Sequence, residues 1–409
     1  MKIALSVASM DVGGIATFIL NLGQHLSQAG HQVTVIAQRC GLWWSRLAEI
    51  GVHHYCLPQR RWDSVWQQVQ SFAAYLKVQR FDVLVVNIGI DNRLPMLALP
   101  LLSDVLPVVL VLHNDRPEVY DLASLNRDAW NCAVGVGSKV QQASQRRFPE
   151  KTIHFIRHGV ELLTVERLRA QATWATPLRL LFVGRLDDHQ KGIFRLPAIL
   201  TTCRDQGIPV HLTVIGDGPD QTQLCQLFQR AGVADLVEFQ GFQPHAQVLA
   251  AMDSHHGLLM PSNYEGLPIV LLEAQAHGCV PLVARLPGIT DYVVQDSISG
   301  FLVNPPEIEG YVNRIEQLLA PERWHALRNT GMGLIRQHFS IQSMGERYLT
   351  LFTELERGAY PRSPNHFRLC IPTCLRFGWS DYLPAPLVGR LRRFQGRFLN
   401  LAQQRQEIA

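Results

Sequence analysis

Residues 2–37 read KIALSVASMDVGGIATFILNLGQHLSQAGHQVTVIA and join three segments with different hydrophobic patterns. The apolar run at residues 2–7 predicts a buried strand, and HQVTVIA at residues 31–37 predicts a second one. Between them, apolar residues follow helical spacing until Gly30: Ile15, Phe18, Ile19, Leu22 and Leu26. The stretch therefore predicts a βαβ unit, with Gly13 and Gly14 in the turn after the first strand.

The same alternation of short apolar runs and helical stretches continues along the chain. Further strands are predicted at residues 81–86, 108–112, 132–136 and 154–156. After a polar joint at about residues 161–177, the pattern starts again at residues 178–183, 210–215, 237–239, 257–260, 280–283 and 301–303. Such alternation is typical of doubly wound parallel sheets. The sequence predicts an α/β protein with two Rossmann-like domains facing each other across a cleft, where ligands bind beyond the carboxyl ends of the strands.

Three regions follow from this pattern. Residues 1–163 form the predicted first domain, residues 164–345 the second, and residues 346–409 C-terminal helices with a basic tail. A helix is predicted after Phe339 and Ser340, running to about Arg357. With 409 residues, 47% of them hydrophobic and 18% charged, the chain is long enough for two separate cores.

The eight cysteines have no regular spacing, which argues against a disulfide scaffold. Cys370 and Cys374 lack the second pair that a zinc site requires. We therefore expect reduced thiols in a cytoplasmic protein. Residues 94–112 are apolar, but their three prolines and one aspartate disfavour a membrane-spanning helix.

The positive charge is concentrated at the C-terminus. Residues 361–409 hold eight arginines and two acids, a net charge of +6, whereas the preceding 360 residues hold 30 bases and 32 acids, a net charge of −2. An apolar stripe in this tail has Arg390, Arg393 and Arg397 beside or opposite it: Leu387, Leu391, Phe394, Phe398 and Leu401. The pattern predicts a basic amphipathic helix, which either lies on an anionic membrane surface or packs on the protein.

Residues 261–278, PSNYEGLPIVLLEAQAHG, predict a loop that runs into a helix. Pro268 suits the first helical position, and Gly278 suits the position after the helix, where φ is positive. Glu265 then lies in the loop, and Glu273 lies about a turn and a half into the helix.

The start of this helix is a predicted anion-binding site. Its unpaired amides favour a phosphate, and they belong to the segment Gly266, Leu267, Pro268 and Ile269, in which only the proline lacks an N–H. Because carboxylates accept hydrogen bonds from hydroxyls, a glutamate on either side suits a ligand with phosphate at its centre and polyols at its ends. A nucleotide sugar has that form.

Several motifs occur together with this segment: Gly13-Gly14, His113-Asn114, FVGRLDDHQKG at 182–192, VIGDGP at 214–219, GF at 241–242 and PSNYEGLPIVLLEA at 261–274. In this order, over roughly residues 2–355, they resemble the retaining glycosyltransferases of family 4, group 1 enzymes with the glycosyltransferase-B fold. The resemblance implies an acceptor-side first domain and a second domain that binds a nucleotide sugar.

The resemblance also implies roles for single residues of the second domain. Arg185 and Lys191 would contact the donor diphosphate, where fixed cations stabilise the charge of the leaving group. Glu273 would accept from the ribose hydroxyls, and Glu265 would contact the hydroxyls of the donor sugar. In the GDG turn, Gly216 and Gly218 serve either the nucleotide or the turn itself.

In the first domain, His113 would hydrogen-bond to the donor sugar. Gly13 and Gly14 would let the first loop approach phosphate or acceptor closely, although glycines there also serve a tight turn. The chain departs from the family pattern at two places: His158-Gly159 stands where Asn-Gly is frequent, and Thr290-Asp291 stands where a glutamate is frequent.

The implied reaction is front-face transfer with retention, in which the departing phosphate accepts the acceptor's proton. No dedicated protein base is required. The chain has no Asp-x-Asp motif, so we expect neither a metal nor a cofactor. We expect no nucleic-acid partner.

The resemblance thus implies transfer of a hexosyl unit from a nucleotide sugar to a hydroxyl of a saccharide or lipid-linked acceptor. Such a reaction would serve cell-envelope polysaccharide or glycolipid synthesis, in the cytoplasm or at the inner face of the membrane. The alternatives are a sugar-nucleotide epimerase and a non-catalytic protein that binds nucleotide sugars. The set Arg185, Lys191 and Glu265 favours transfer.

Overall fold

A computed structural model describes residues 1–11, 13–58, 63–89, 92–102, 106–163 and 173–361. The chain divides into two compact units. The first contains residues 1–134, 143–154 and the described residues from Leu349 onwards, and the second contains residues 135–142 and 155–348. Most of the predicted basic tail, residues 362–409, lies outside the described residues, so the amphipathic helix stays a prediction.

The first unit is built on a sheet that has seven strands among the described residues, in the order β3-β2-β1-β4-β5-β6-β7. Neighbouring strands from β3 through β5 are parallel. Most side chains of β1, β2, β4 and β5 are buried, as in a sheet covered on both faces. The strands are β1 Lys2–Ser9, β2 Gln32–Arg39, β3 His53–Cys56, β4 Val83–Ile88, β5 Val108–Leu112, β6 Cys132–Gly135 and β7 Thr152–Phe155.

Strand β3 was not predicted. Its sequence is HHYC, and it pairs with β2 at the edge of the sheet, with both histidines exposed. Edge strands carry polar residues because one side faces solvent. The segment therefore lacks the apolar run that identified the other strands.

The second unit has a sheet of six strands among the described residues, in the order β10-β9-β8-β11-β12-β13. All neighbouring pairs are parallel. The strands are β8 Leu178–Val183, β9 Val210–Ile215, β10 Val237–Gly241, β11 Gly257–Met260, β12 Val280–Ala284 and β13 Phe301–Val303. The strand order reverses between β8 and β11, and in open α/β sheets ligands bind at such a point.

Helices connect the strands, as parallel neighbours require. In the first unit they are Gly14–Gln28, Arg46–Glu49, Val65–Gln79, Arg93–Ala98 and Pro117–Ser124, with 3-10 turns at Leu99–Leu101 and Arg127–Ala129. In the second unit they are Asp188–Lys191, Arg195–Asp205, Gln221–Arg230, His245–Ser254, Ile269–Ala276, Thr290–Val293, Ile308–Gln317 and Pro321–His338, with a 3-10 turn at Ala234–Leu236. Two helices contribute residues to both units, Ser138–Arg147 and Ile341–Glu356. The two sheets with their crossover helices confirm the predicted pair of Rossmann-like α/β folds, and the helix Ile341–Glu356 confirms the one predicted there.

The predicted start of the helix after Glu265 was wrong by one residue. Pro268 has φ −72° and ψ 108°, so it is an extended N-cap residue and the helix begins at Ile269. Its end agrees with the prediction, since Gly278 has φ 74°. All residues of this helix except Val270 are buried, because the sequence IVLLEAQA is apolar on nearly every side.

Candidate functional site

Two loops meet at the point where the strand order of the second sheet reverses. One follows β8 and ends in the one-turn helix Asp188–Lys191, and the other follows β11. Asn263 joins them: its side-chain amide donates to the carbonyls of Asp188 and His189 at 3.1 Å, and its backbone N–H donates to the carbonyl of Gln190 at 2.8 Å. The Arg195 guanidinium completes the brace, donating to the Pro261 carbonyl at 2.7 Å and to the Asn263 side chain.

This brace brings Lys191 and Glu265 together. The Nζ of Lys191 lies 2.7 Å from Oε1 of Glu265, and the two side chains are 14% and 5% exposed. The Ser262 hydroxyl donates to the same carboxylate oxygen at 2.7 Å. Because burial makes an unpaired charge expensive, the lysine and the carboxylate stabilise each other in this loop.

The amides at the start of the helix Ile269–Ala276 follow directly after this ion pair. The N–H groups of Gly266, Leu267 and Ile269 donate no hydrogen bond to any described residue. Leu267 and Ile269 are 8% and 4% exposed, and their burial fixes the loop as it enters the helix. Open amides at a helix N-terminus favour an anion, as predicted for this segment.

Glu273 lies deeper in the same helix, and the residue is 8% exposed. Its Oε1 lies 2.7 Å from Nε2 of His245, the first residue of the helix His245–Ser254. Since the helix around Glu273 is buried, a carboxylate there needs such a polar partner. The contact joins the segment after β10 to the segment after β11.

Arg185 is exposed and forms no ion pair with any residue that the structure describes. Its backbone is fixed on either side, because the N–H of Gly184 donates to Ile215 at 3.0 Å and the N–H of Leu186 donates to Asp217 at 2.7 Å. A cation on an anchored backbone, next to the segment that carries Lys191, is available for an anionic ligand.

Gly216 and Gly218 allow the loop after β9 to approach the loop after β8. Gly216 has φ 135°, and a β-carbon there would overlap the carbonyl oxygen of Gly184. A β-carbon at Gly218 would overlap the carbonyl of Leu186. These contacts account for both glycines by loop packing, and a role at the nucleotide stays a prediction.

The remaining candidate residues lie in the first unit. His113 follows β5 and is 5% exposed, and its Nε2 lies 3.0 Å from Oδ1 of Asn87 in β4. Gly13 and Gly14 are exposed at the start of the helix Gly14–Gln28, and nothing lies within 4 Å of the point where a β-carbon of Gly13 would be. Gly13 therefore leaves open space beside the first turn.

Both departures from the family pattern lie in the second unit. His158 is 4% exposed, and burial lowers its pKa to about 3, so the imidazole is neutral at physiological pH. The Thr290 hydroxyl donates to Ala284 at 2.6 Å, and Oδ1 of Asp291 accepts from the N–H of Gly288 at 2.6 Å. Both residues at 290 and 291 thus stabilise the turn after β12.

Sequence reasoning missed five polar residues of the site: Gln190, Arg195, His245, Ser262 and Asn263. Three of them lie inside the quoted motifs, where the glutamates and the lysine were the residues singled out. His245 follows the GF motif by three positions and carries no periodic signal.

Within the described ranges, no group of three histidine, cysteine, aspartate or glutamate side chains is placed to hold a metal ion. The described cysteines are free thiols. Of the helices in the described residues, none has the length and apolar character needed to cross a membrane.

The chain matches two adjoining family models. Residues 12–162 match the model for glycosyltransferase family 4, and residues 165–331 match the model for glycosyl transferases group 1. The boundary between the matches coincides with the polar joint of the sequence.

The chain is also similar to individual proteins, among them a glycosyltransferase and a synthase named for a glucosaminyl product. The putative colanic acid biosynthesis glycosyltransferase WcaL of Escherichia coli K12 is 31% identical over 174 residues, which are 41% of this chain and 42% of WcaL. The match therefore spans less than half the length of WcaL. The N-acetyl-alpha-D-glucosaminyl L-malate synthase of Bacillus anthracis is 23% identical over 389 residues, 87% of this chain and 98% of the synthase.

A solved structure of Anabaena Alr3699/HepE in complex with UDP-glucose superposes with a TM-score of 0.72 at 18% identity, over 87% of this chain and 100% of the Anabaena chain. At that identity the likeness concerns the fold. The two adjoining family matches show that the chain belongs to the group 1 glycosyl transferases, and the superposition shows that it has the glycosyltransferase-B fold.

Proposed function

We propose that the protein is a retaining glycosyltransferase that moves a hexosyl unit from a nucleotide sugar to a hydroxyl of a saccharide or lipid-linked acceptor. The observation that carries this proposal is the buried pair of Lys191 and Glu265, 2.7 Å apart, directly before the open amides of a helix start. A cation and amides suit the diphosphate of a donor, and the carboxylate suits the hydroxyls of its sugar.

In this proposal the donor lies along the second unit with its diphosphate at Lys191, Arg185 and the amides of Gly266, Leu267 and Ile269. Pro268 contributes by fixing the backbone between those amides. The hydroxyls of the transferred sugar bind Glu265, and Glu273 accepts from the ribose hydroxyls. In the first unit, His113 hydrogen-bonds to the donor sugar. Gly13 and Gly14 let the loop after β1 approach the phosphate or the acceptor closely.

The proposed chemistry breaks the bond between the anomeric carbon and the departing phosphate oxygen, and forms a bond from that carbon to the acceptor oxygen on the same face. The acceptor proton moves to the departing phosphate, so the protein need supply no base. Lys191 and Arg185 stabilise the charge that develops on the leaving diphosphate. Neither a metal nor a cofactor takes part in this scheme.

Related proteins support the substrate class. WcaL is named for colanic acid biosynthesis, a relative from Rhizobium meliloti for lipopolysaccharide core biosynthesis, and the Anabaena structure holds UDP-glucose. By analogy, the acceptor of this protein is a saccharide or lipid-linked saccharide of the cell envelope. A uridine diphosphate sugar is the first donor to test.

Binding and transfer can be tested in sequence. In a thermal-shift panel of UDP-, GDP- and ADP-sugars, we expect one nucleotide to raise the melting temperature, with a shift that grows with the logarithm of its concentration above saturation. With that donor, NMR of the glycoside product gives the anomeric configuration, which we expect to match the donor. An inverted product would contradict the retaining mechanism, and no stabilisation by any sugar nucleotide would contradict the function.

The basic tail is proposed to hold the enzyme at the inner face of an anionic membrane, where each arginine contributes about 1 kcal/mol. We expect the full chain to co-sediment with vesicles containing anionic lipid, and a chain without residues 361–409 to stay in solution. Replacing Arg390, Arg393 and Arg397 by glutamine is the matched control for charge. Equal binding of the full and truncated chains to anionic vesicles would contradict the membrane role.

A further inference from the structure

The carboxylate of Glu273 is held on one side only. Its Oε1 lies 2.7 Å from Nε2 of His245, whereas its Oε2 forms no hydrogen bond with any residue that the structure describes. The side chains of His245 and Glu273 are 17% and 11% exposed, so both are largely buried but still accessible to a ligand. One carboxylate oxygen is thus fixed by the protein, and the other is left for a ligand.

His245 reaches this carboxylate from a different part of the sheet. Strand β10 ends at Gly241, which has φ 65°, and Pro244 is the N-cap residue of the helix that His245 begins. The helix His245–Ser254 is anchored by the buried residues Val248, Leu249 and Met252. Glu273 belongs to the buried helix after β11. Because both residues belong to helices that are anchored in the core, the contact with His245 holds the Glu273 carboxylate in place.

We infer that His245 is a positioning residue that holds the Glu273 carboxylate ready for the vicinal diol of a nucleoside. This inference rests on the proposed function, since it requires that Glu273 receive the ribose of the donor. A free glutamate side chain samples several rotamers, and ordering it on binding would weaken the complex. The bond from His245 orders it beforehand and leaves Oε2 to accept from the ribose hydroxyls.

A purely structural role for the same bond has a different consequence. If His245 only joined its helix to the helix Ile269–Ala276, its loss would lower stability and weaken all nucleotides by a common factor. If it positions Glu273, its loss affects only ligands that carry the hydroxyl. The ratio of affinities for a ribonucleotide and its deoxy counterpart separates the two roles.

The test measures binding of UDP, GDP and ADP by calorimetry, and continues with the tightest of them and its 2′-deoxy form. We expect the unsubstituted protein to prefer the ribonucleotide. In His245→Ala that preference should fall by about 2- to 10-fold, the range expected for ordering one side chain on binding. In His245→Gln it should return, because the glutamine amide nitrogen can occupy the place of Nε2. His53→Ala, at an exposed histidine of β3, is the matched control.

Melting temperatures establish that each variant is folded. If the alanine variant is not folded, His245→Asn replaces it, because the asparagine amide is too short to reach Glu273. An unchanged ribose preference in the alanine or asparagine variant would overturn the inference, as would a glutamine variant that behaves like alanine. A protein that binds ribo- and deoxynucleotide equally would refute both the Glu273 assignment and this inference, while leaving the donor site standing. A protein that binds no nucleoside diphosphate would refute the proposed function itself.

Discussion

Lys191→Met should lower kcat about 10²- to 10³-fold, the usual loss when one preorganised charge is removed from a developing anion. The departing diphosphate gains negative charge as the glycosidic bond breaks, so the lysine binds the transition state more tightly than the bound donor. The loss should therefore appear mainly in kcat, with a smaller rise in the KM of the donor. Initial rates with the donor found in the thermal-shift panel measure both constants.

The control for this experiment is Lys77→Met, at an exposed lysine in the helix Val65–Gln79. It removes the same charge and adds the same apolar group, and we expect its rate to stay within about twofold of the unsubstituted enzyme, as for an ordinary surface substitution. A Lys191→Met enzyme with an unchanged kcat would contradict the assignment of Lys191 to the leaving group.

Much of the fold could be predicted from the sequence because its strands are buried on both faces. Runs such as LRLLFV in β8 and VVLVL in β5 are nearly continuous apolar segments, which is what central parallel strands require. The edge strand β3 was missed, since its histidines face solvent. The start of the helix after Glu265 was predicted one residue too early. The ψ of Pro268 is extended rather than helical, and it depends on the loop before the helix.

The site was predictable in its residue types but not in its contacts. Lys191 and Glu265 stood out by their motifs, yet they are 74 positions apart and only the folded loops bring them within 2.7 Å. Asn263 joins those loops through backbone carbonyls, which leave no trace in side-chain patterns. His245 and Glu273 are 28 positions apart on different helices, and no motif in the sequence links them.

The paired substitution Lys191→Met with Glu265→Gln should separate what the ion pair does for stability from what it does for catalysis. Either change alone leaves a mostly buried charge without its partner, and we expect each to lower the free energy of unfolding by about 1 to 3 kcal/mol, less than for a fully buried pair because Lys191 is 14% exposed. The double variant removes both charges. Its stability should be higher than that of either single variant.

Catalysis should show the opposite behaviour. In the proposed mechanism Lys191 acts on the leaving diphosphate and Glu265 on the transferred sugar, so restoring a neutral, well-packed loop returns neither interaction. We expect the double variant to be at least as slow as the slower single variant. Guanidinium unfolding and kcat are measured on the unsubstituted protein, the two single variants and the double variant. The unfolding data give the coupling energy for stability, and the kcat values give the coupling energy for catalysis. If the double variant regained activity along with stability, the pair would be a structural brace alone; if its stability loss equalled the sum of the single losses, the two side chains would not be coupled in the free protein.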